Sequence, residues 1–410
     1  MGVEIRPIVR RELAAYVSLL EVAAGRRPGD EALADARAEV ELDRTLAVFE
    51  DGVAVAATGS DLLELTVPGP RPVPAARITL TGVLPSRRRR GYAVQLARRQ
   101  FRDFHDRGEP LAVLITTGPG FQRRIGLAPA ARAAEVEIET RRGSLESGAG
   151  EGDDVRVLDD AERDRLLPEV YERHRRAQPG QIVRTPTFWR FWLLDRDRFR
   201  KGERGDRFAA AYDDAQGLPQ GYVTYRLRPG DPRVQPVDAL VVEDLVAVTN
   251  EARYALWDFC LAFEQARRVV AHNVPVDEPL LWMLRDPRRL RVTRVRDFLW
   301  LRLVDVAAAL RARSYGGCGE LVLELADPLL PENTGRFLLT ADEAGGACAA
   351  TRRPPDLALE VADLGAIYLG DASFVALARA GRVRELAAGA IARADALFDS
   401  RPAPWTVSDW

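Results

Sequence analysis

The chain has 410 residues, with 59 basic side chains against 61 acidic and a net charge of −2. That length supplies two or three domains with cores of their own, and the even charge balance excludes the global polybasic character of a nucleic-acid binder. No run of about 18 apolar residues occurs and the N-terminal MGVEIRPIVRRE has no apolar signal region, so no membrane partner is expected and the chain reads as cytoplasmic. Lys201 is the single lysine, so arginine clusters partly reflect composition. Cys260, Cys318 and Cys348 are odd in number and far apart, and His105, His174 and His272 lack ligand spacing, so neither a disulfide framework nor a metal site is expected.

In chain order, residues 4–25 and 30–43 carry helical patterns with a cap signal at Gly29-Asp30. Residues 45–50 and 53–58 read as a hairpin across Asp51-Gly52, because Asp-Gly suits the turn that matches strand twist. Residues 62–67 continue the sheet, and a Pro-rich loop at 68–74 leads into the central strand. An apolar run at 111–116 suits a buried parallel strand, and 133–140 closes the first domain. The Gly/Ser/acid-rich stretch 141–154 reads as a linker. Strands at 222–227 and 239–248 followed by a helix at 250–267 then repeat the strand, strand, helix order of the first domain. From 305 the pattern changes to a helix, three short strands (320–325, 335–340, 357–361) and helices at 364–368, 373–380 and 384–397. The expected class is α+β (mixed α/β), with domains at 1–142, 155–304 and 305–410 and a linker at 143–154.

One stretch is organised for ligand chemistry. Ile78 to Ala93 reads ITLTGVLPSRRRRGYA: a strand whose alternation slips at Gly82, a stop at Pro85, and a helix opened by Gly91 with Ala93, Ala97, Phe101 and Phe104 at helical spacing. Consecutive arginines at a helix N-terminus face the positive end of the helix dipole, which is unfavourable unless an anion is present. Unpaired N–H groups at the helix start and a glycine that allows close approach form a cradle for a pyrophosphate. The second domain's equivalent turn, Val248-Thr249-Asn250-Glu251-Ala252, has neither the arginines nor the glycine, so it reads as a degenerate duplicate.

Arg88-Arg89-Arg90-Gly91-Tyr92-Ala93 fits R-x-x-G-x-A between a strand and an amphipathic helix, and so resembles the acetyl-coenzyme A signature of the GNAT acetyltransferases. LTVPG (65–69), V-x-P-S-R-R-R-R-G (83–91), R-I-G-L-x-P (124–129), EPLLWMLRD (278–286), DFLWLRLVDV (297–306), IYLG (367–370) and a late PAPW (402–405) extend the likeness over nearly the whole chain. Together they resemble the enhanced intracellular survival family of aminoglycoside acetyltransferases: two tandem GNAT-like domains, the second degenerate, followed by a sterol-carrier-protein-like domain. For the apolar positions of IYLG, plain core and a lipid-binding cavity both remain open.

The resemblance implies acetyl transfer from acetyl-coenzyme A to an amine of a cationic small molecule, in a hexamer built as a trimer of dimers. It implies a splayed strand pair that admits the pantetheine arm. It implies contacts from Thr81, Gly82 and Val83 to the thioester and pantetheine, from Arg88, Arg89, Arg90, Gly91, Tyr92, Ala93 and Val94 to the pyrophosphate, and from Thr117 and Gly118 nearby. It also implies that the carboxylate of Trp410 enters the active site, orienting the amine. At one position the sequence departs from the family. The tyrosine that protonates the leaving thiolate aligns with Gln122, and a glutamine cannot donate that proton. A second reading therefore stands beside the enzyme: a ligand-binding homologue that kept the fold and coenzyme A affinity.

Overall fold

The computed structural model describes residues 2–69, 71–115, 119–140, 145–146, 155–193, 205–231, 233, 237–343 and 345–408. The chain divides into two compact units, Met1–Ala130 with Leu299–Ser400, and Ala131–Phe298 with Arg401–Trp410.

The first unit begins with β1 (Val3–Arg6), α1 (Leu13–Ala23) and α2 (Asp30–Glu39), then β2 (Thr45–Glu50), β3 (Val53–Val67) and β4 (Arg71–Val83). The helical pattern expected from residue 4 starts later, because Val3 and Ile5 alternate with polar neighbours and pair with β2 before Pro7 breaks the strand. The expected hairpin forms with Asp51 and Gly52 at positive φ. The Pro-rich stretch is not all loop. Pro72 and Pro74 lie in β4, opposite Thr66 and Glu64 of β3 and ahead of the pairing with β5, which begins at Ala75. Next come α3 (Tyr92–Asp106), β5 (Leu111–Ile115), α4 (Pro119–Gln122) and the first residues of β6 (Ala128–Glu139), a strand that belongs to the second unit from Ala131 on. β1 to β4 pair antiparallel, and β4 and β5 pair in parallel. α3 presents Ala97, Phe101 and Phe104 to a core with Ile78, Leu114 and Trp300, all buried.

The second unit contains β7 (Val155–Val157), α5 (Asp160–Ala177), α6 (Pro186–Leu193), β8 (Arg207–Asp213), β9 (Pro219–Pro229), β10 (Val237–Ala247), α7 (Asn250–Leu261), β11 (Ala266–Val274), α8 (Leu280–Met283) and most of β12 (Leu290–Leu303). β7 to β10 pair antiparallel, β10 and β11 in parallel, and β11 runs antiparallel to β6. This repeats the order of the first unit. The helix expected to 267 stops at Leu261, because the run Arg268-Val269-Val270-Ala271 pairs as a strand. Of the expected linker, only Leu145 and Glu146 lie within the described residues, and Leu145 is buried in this unit's core.

The rest of the first unit is α9 (Val306–Ala312), β13 (Gly319–Ala326), β14 (Gly335–Asp342), β15 (Gly345–Ala350), β16 (Leu357–Glu360), α10 (Val361–Tyr368), α11 (Phe374–Arg379), β17 (Val383–Glu385) and α12 (Ala390–Phe398). Its sheet runs β15-β14-β13-β16-β17. β15 and β17 escape the sequence pattern because Gly-Gly-Ala-Cys-Ala-Ala is weak in strand formers and Val383–Glu385 is short. Every residue of α10 is buried, and Gly365 lies so close to β12 that a Cβ would sit 2.8 Å from the Leu301 carbonyl oxygen. Arg313, fully enclosed, donates to the carbonyls of Tyr368 and Phe398, so the partial negative charge at the ends of α10 and α12 offsets a buried cation.

Candidate active site

The site is built on the second half of β4. Its parallel pairing with β5 ends at Arg77↔Val113. Just beyond, the register against β3 shifts between Ser60↔Ile78 and Thr58↔Thr81, so β4 carries an extra residue and bends away. β5 turns its other edge to residues 299–303 of β12. Thr79, Leu80 and Thr81 are exposed, and among the described residues no strand covers this edge of β4. Unpaired N–H and C=O groups along such an edge are ready partners for an extended ligand carrying amides. The splay expected between the two strands is thus present.

Neighbouring side chains hold that edge in place. The Thr81 hydroxyl lies 2.7 Å from that of Thr58, and the Gln100 amide donates to the Gly59 carbonyl at 3.1 Å. Gly82 permits a close approach, but by the chain itself: a Cβ there would sit 2.6 Å from Ala23 Cβ, so the glycine lets α1 lie against the strand. Val83 follows, half-buried, before the turn at Pro85.

The arginine run is divided in its duties. Arg87 and Arg90 pair with Glu50 at 2.7 and 3.2 Å, and the Tyr92 hydroxyl donates to the same carboxylate. The Tyr92 hydrogen bond, reinforced by Arg87, holds the Glu50 carboxyl below the usual carboxylate range. Arg88 donates to the Ala23 carbonyl at 3.0 Å, which ties the loop to the end of α1. Arg89, at φ 64, is exposed and makes no hydrogen bond or ion pair among the described residues. Sequence reasoning treated the run as one cationic patch and missed Glu50, which no local motif marks.

Gly91 is the N-cap of α3 at φ 82, a left-handed conformation that glycine adopts without strain, and no side chain caps the helix. The amides of its first turn, at Tyr92, Ala93 and Val94, therefore keep their donors for a ligand, beside the arginines and the positive end of the dipole. Thr81, Gly82 and Val83 on one side and Arg88 to Val94 on the other are thus brought to the two ends of one loop. A diphosphate with an extended amide arm fits these donors.

Gln122 lies on the short segment after β5. Phe121 packs against the core that holds Ile78 and Leu114. Two arginine contacts fix this segment. Arg123 reaches buried Asp363 of α10 at 2.7 Å, and Arg302, paired with buried Asp327, donates to the Ile125 carbonyl at 2.8 Å. Gly126 is required here, since a Cβ would sit 1.6 Å from Arg302 Nη1. Burial raises the Asp363 carboxyl even against the pull of Arg123. Neither clamp was legible in the sequence, because each joins residues far apart in the chain. Thr117, Gly118 and Trp410 lie outside the described residues.

Comparison with known proteins agrees with this architecture. Residues 4–130 and 180–303 each match an acetyltransferase (GNAT) domain family, and residues 306–407 match a sterol carrier protein domain family. An uncharacterized N-acetyltransferase of Streptomyces avermitilis is 38% identical over 367 residues, 89% of each chain. The N-acetyltransferase Eis of Mycobacterium bovis is 31% identical over 345 residues, 82% of this chain and 81% of its own. Among solved structures, Eis1 from Mycobacterium abscessus superposes with a TM-score of 0.87 at 33% identity, covering 99% of this chain and 100% of its own. With its paired GNAT domains and its sterol-carrier-like domain, the chain belongs to the Eis-like N-acetyltransferases of the GNAT superfamily.

Proposed function

We propose that this acetyltransferase takes its acetyl group from acetyl-coenzyme A and delivers it to an amine of a cationic, aminoglycoside-like small molecule. The observation that carries the reading is the edge of β4 at residues 79–83, which no strand covers among the described residues, beside the uncapped start of α3 at Gly91. In this reading the α3 amides, with Arg88 to Arg90, hold the pyrophosphate, and the β4 edge pairs with the amides of the pantetheine arm. Backbone groups of Gly82 and Val83 polarise the thioester carbonyl. The neutral amine attacks that carbon, the C–S bond breaks, the thiolate leaves, and the attacking nitrogen gives up a proton to solvent. Trp410 supplies a carboxylate that orients the amine. A carboxylate is too weak a base to deprotonate an alkylammonium fully, so its role is positioning. Thr117 and Gly118 complete the cofactor contacts.

Gln122 carries no acidic proton, so solvent protonates the leaving thiolate. A positioned general acid contributes roughly 10²–10⁴ in rate, and turnover is correspondingly slow. The same residue favours the second reading, a homologue that binds coenzyme A without turning over. Thiol release on mixing acetyl-coenzyme A with a panel of aminoglycosides and polyamines decides between them. Release with at least one amine supports the enzyme, binding without release from any amine supports the ligand-binding homologue, and absence of binding contradicts both. By the same family likeness the assembly is a cytoplasmic hexamer, which sedimentation equilibrium tests. Among the described residues no helix is long and apolar enough to cross a membrane.

A further inference from the structure

The second unit has the same wedge as the first, and it is occupied. β10 and β11 pair only as far as Val242↔Ala271, and the register of β10 against β9 shifts between Val242 and Asp244. Pairing ends and the strand bends, as in β4. Here, however, residues 403–408 are gripped from every side of the gap. On the β11 side, Asn273 donates to the carbonyls of Thr406 and Val407 at 3.0 and 3.3 Å and accepts from the Trp405 indole at 2.8 Å. On the β10 side, Arg184 is ion-paired with Asp244 at 2.6 Å and donates to the Ser408 hydroxyl at 2.9 Å, while Trp405 and Val407 share a core cluster with Val246. From the loop after α5, the Pro179 carbonyl accepts from Trp405 N at 2.9 Å. Gly180, at φ 91, runs so close that a Cβ would lie 2.9 Å from the Trp405 backbone. Trp405 to Ser408 are all at most 3% exposed.

We propose that the wedge of the second unit is a peptide-binding site, that its resident occupant is the chain's own Pro402–Ser408 segment, and that this segment fills the volume which the first unit leaves open for an acyl-carrier arm. The comparison of volumes rests on the proposed function; the peptide site itself does not. The recognition chemistry is defined. A side-chain amide reads two successive backbone carbonyls and an indole N–H, a glycine admits the main chain, and a buried arginine reads a hydroxyl two residues after the aromatic position's neighbour, at Ser408. The ligand class is thus an extended Trp-Thr-aliphatic-Ser peptide, led in by the prolines at 402 and 404. While it is seated, it occupies the gap through which a second cofactor would enter.

The test keeps the full chain. A protease site inserted between Ser400 and Arg401, both at the surface or near it, lets the protein fold with its tail in place before the tail is cut. After cleavage, the released piece is expected to co-elute with the body on gel filtration. A labelled synthetic peptide spanning 402–410 is expected to exchange into the site, with affinity lowered at least tenfold by Asn273→Ala and further by Gly180→Val. Far-ultraviolet circular dichroism and a denaturant melt of the second unit, measured on the same samples, report that the variants are folded. Separation of the cut tail from wild-type protein at micromolar concentration overturns the proposal, as does retention that Asn273→Ala and Gly180→Val leave unchanged. Because retention needs no turnover, it fails independently of the acetyl-transfer reading.

Discussion

The start of α3 and the start of α7 occupy the same place in two copies of one fold, and they have been finished in opposite ways. α3 begins at Gly91 with φ 82 and no side-chain cap, after a loop that brings arginines to the helix end. α7 begins at Thr249 with φ −122, whose hydroxyl accepts from the Ala252 amide at 3.2 Å, directly after β10. One helix keeps its orphan donors for a ligand. The other satisfies a donor with its own side chain, which stabilises the helix by about 1 kcal/mol. The strands beside them differ in the same sense: among the described residues no strand covers the edge of β4, whereas the segment 403–408 lies in the corresponding gap of the second unit. Under the proposed function, the binding site is an unfinished piece of secondary structure, lost by completing it.

The comparison breaks most visibly if the first helix start is made like the second. Gly91→Asp supplies a capping carboxylate and adds negative charge where the pyrophosphate would sit. It should weaken coenzyme A binding by about 100-fold or more, since one or two charge-assisted contacts of roughly 1.5–3 kcal/mol each are lost. Thr249→Gly should leave binding unchanged. Titration calorimetry on both variants reads the contrast.

Acid should affect the second unit through His174, which is buried against Trp405 and donates from Nδ1 to the Ala247 carbonyl at 3.0 Å. Burial lowers its pKa from 6.5 to about 4, only partly offset by that hydrogen bond, with Arg253 and Arg184 adding to the lowering. The folded pKa lies below the unfolded one, so the unfolded chain takes up the proton first. The stability contributed by neutral His174 is therefore complete above about pH 6.5 and is lost as pH falls toward 4. The loss is about 3 kcal/mol at most. Replacing His174 with phenylalanine should flatten the pH dependence of the second unit's unfolding, followed by denaturant melts between pH 4 and 7. An unchanged slope would contradict the assignment.

The smallest effect concerns division of labour within the arginine run. Arg89 is free of protein partners among the described residues, while Arg87 and Arg90 are held by Glu50. Arg89→Ala should weaken coenzyme A binding about five- to tenfold, as loss of one exposed charge-assisted contact predicts. Arg87→Ala should act mainly on the stability of the loop. Surface-plasmon binding and thermal melts separate the two.

The fold and the elements that carry the candidate site were legible because they rest on local signals. Strand alternation, the Asp51-Gly52 turn, the Gly91 helix start and the repeated strand, strand, helix order each lie within a short stretch of chain. What escaped detection lies in contacts between distant residues. Glu50 meets Arg87 and Tyr92 across the β2–α3 contact, Asp363 reaches Arg123, and Arg302 passes Gly126 to reach Ile125. The early strand β1 was hidden by an amphipathic pattern that continues into α1, and the Pro-rich stretch concealed an edge on which prolines are tolerated. The tail was read as a segment with a destination. The structure places residues 403–408 in the core of the second unit, through side chains of Asn273, Gln178 and Arg184 that no sequence spacing relates to it.

If the two copies differ in what they leave open, only the first takes an acyl-carrier. The stoichiometry of coenzyme A binding tests it most directly, by calorimetry on the wild-type chain and on Gly91→Asp. One site per chain is expected in the wild type and none at the same concentrations in the variant. Two sites per chain, or one site that survives Gly91→Asp, would contradict it.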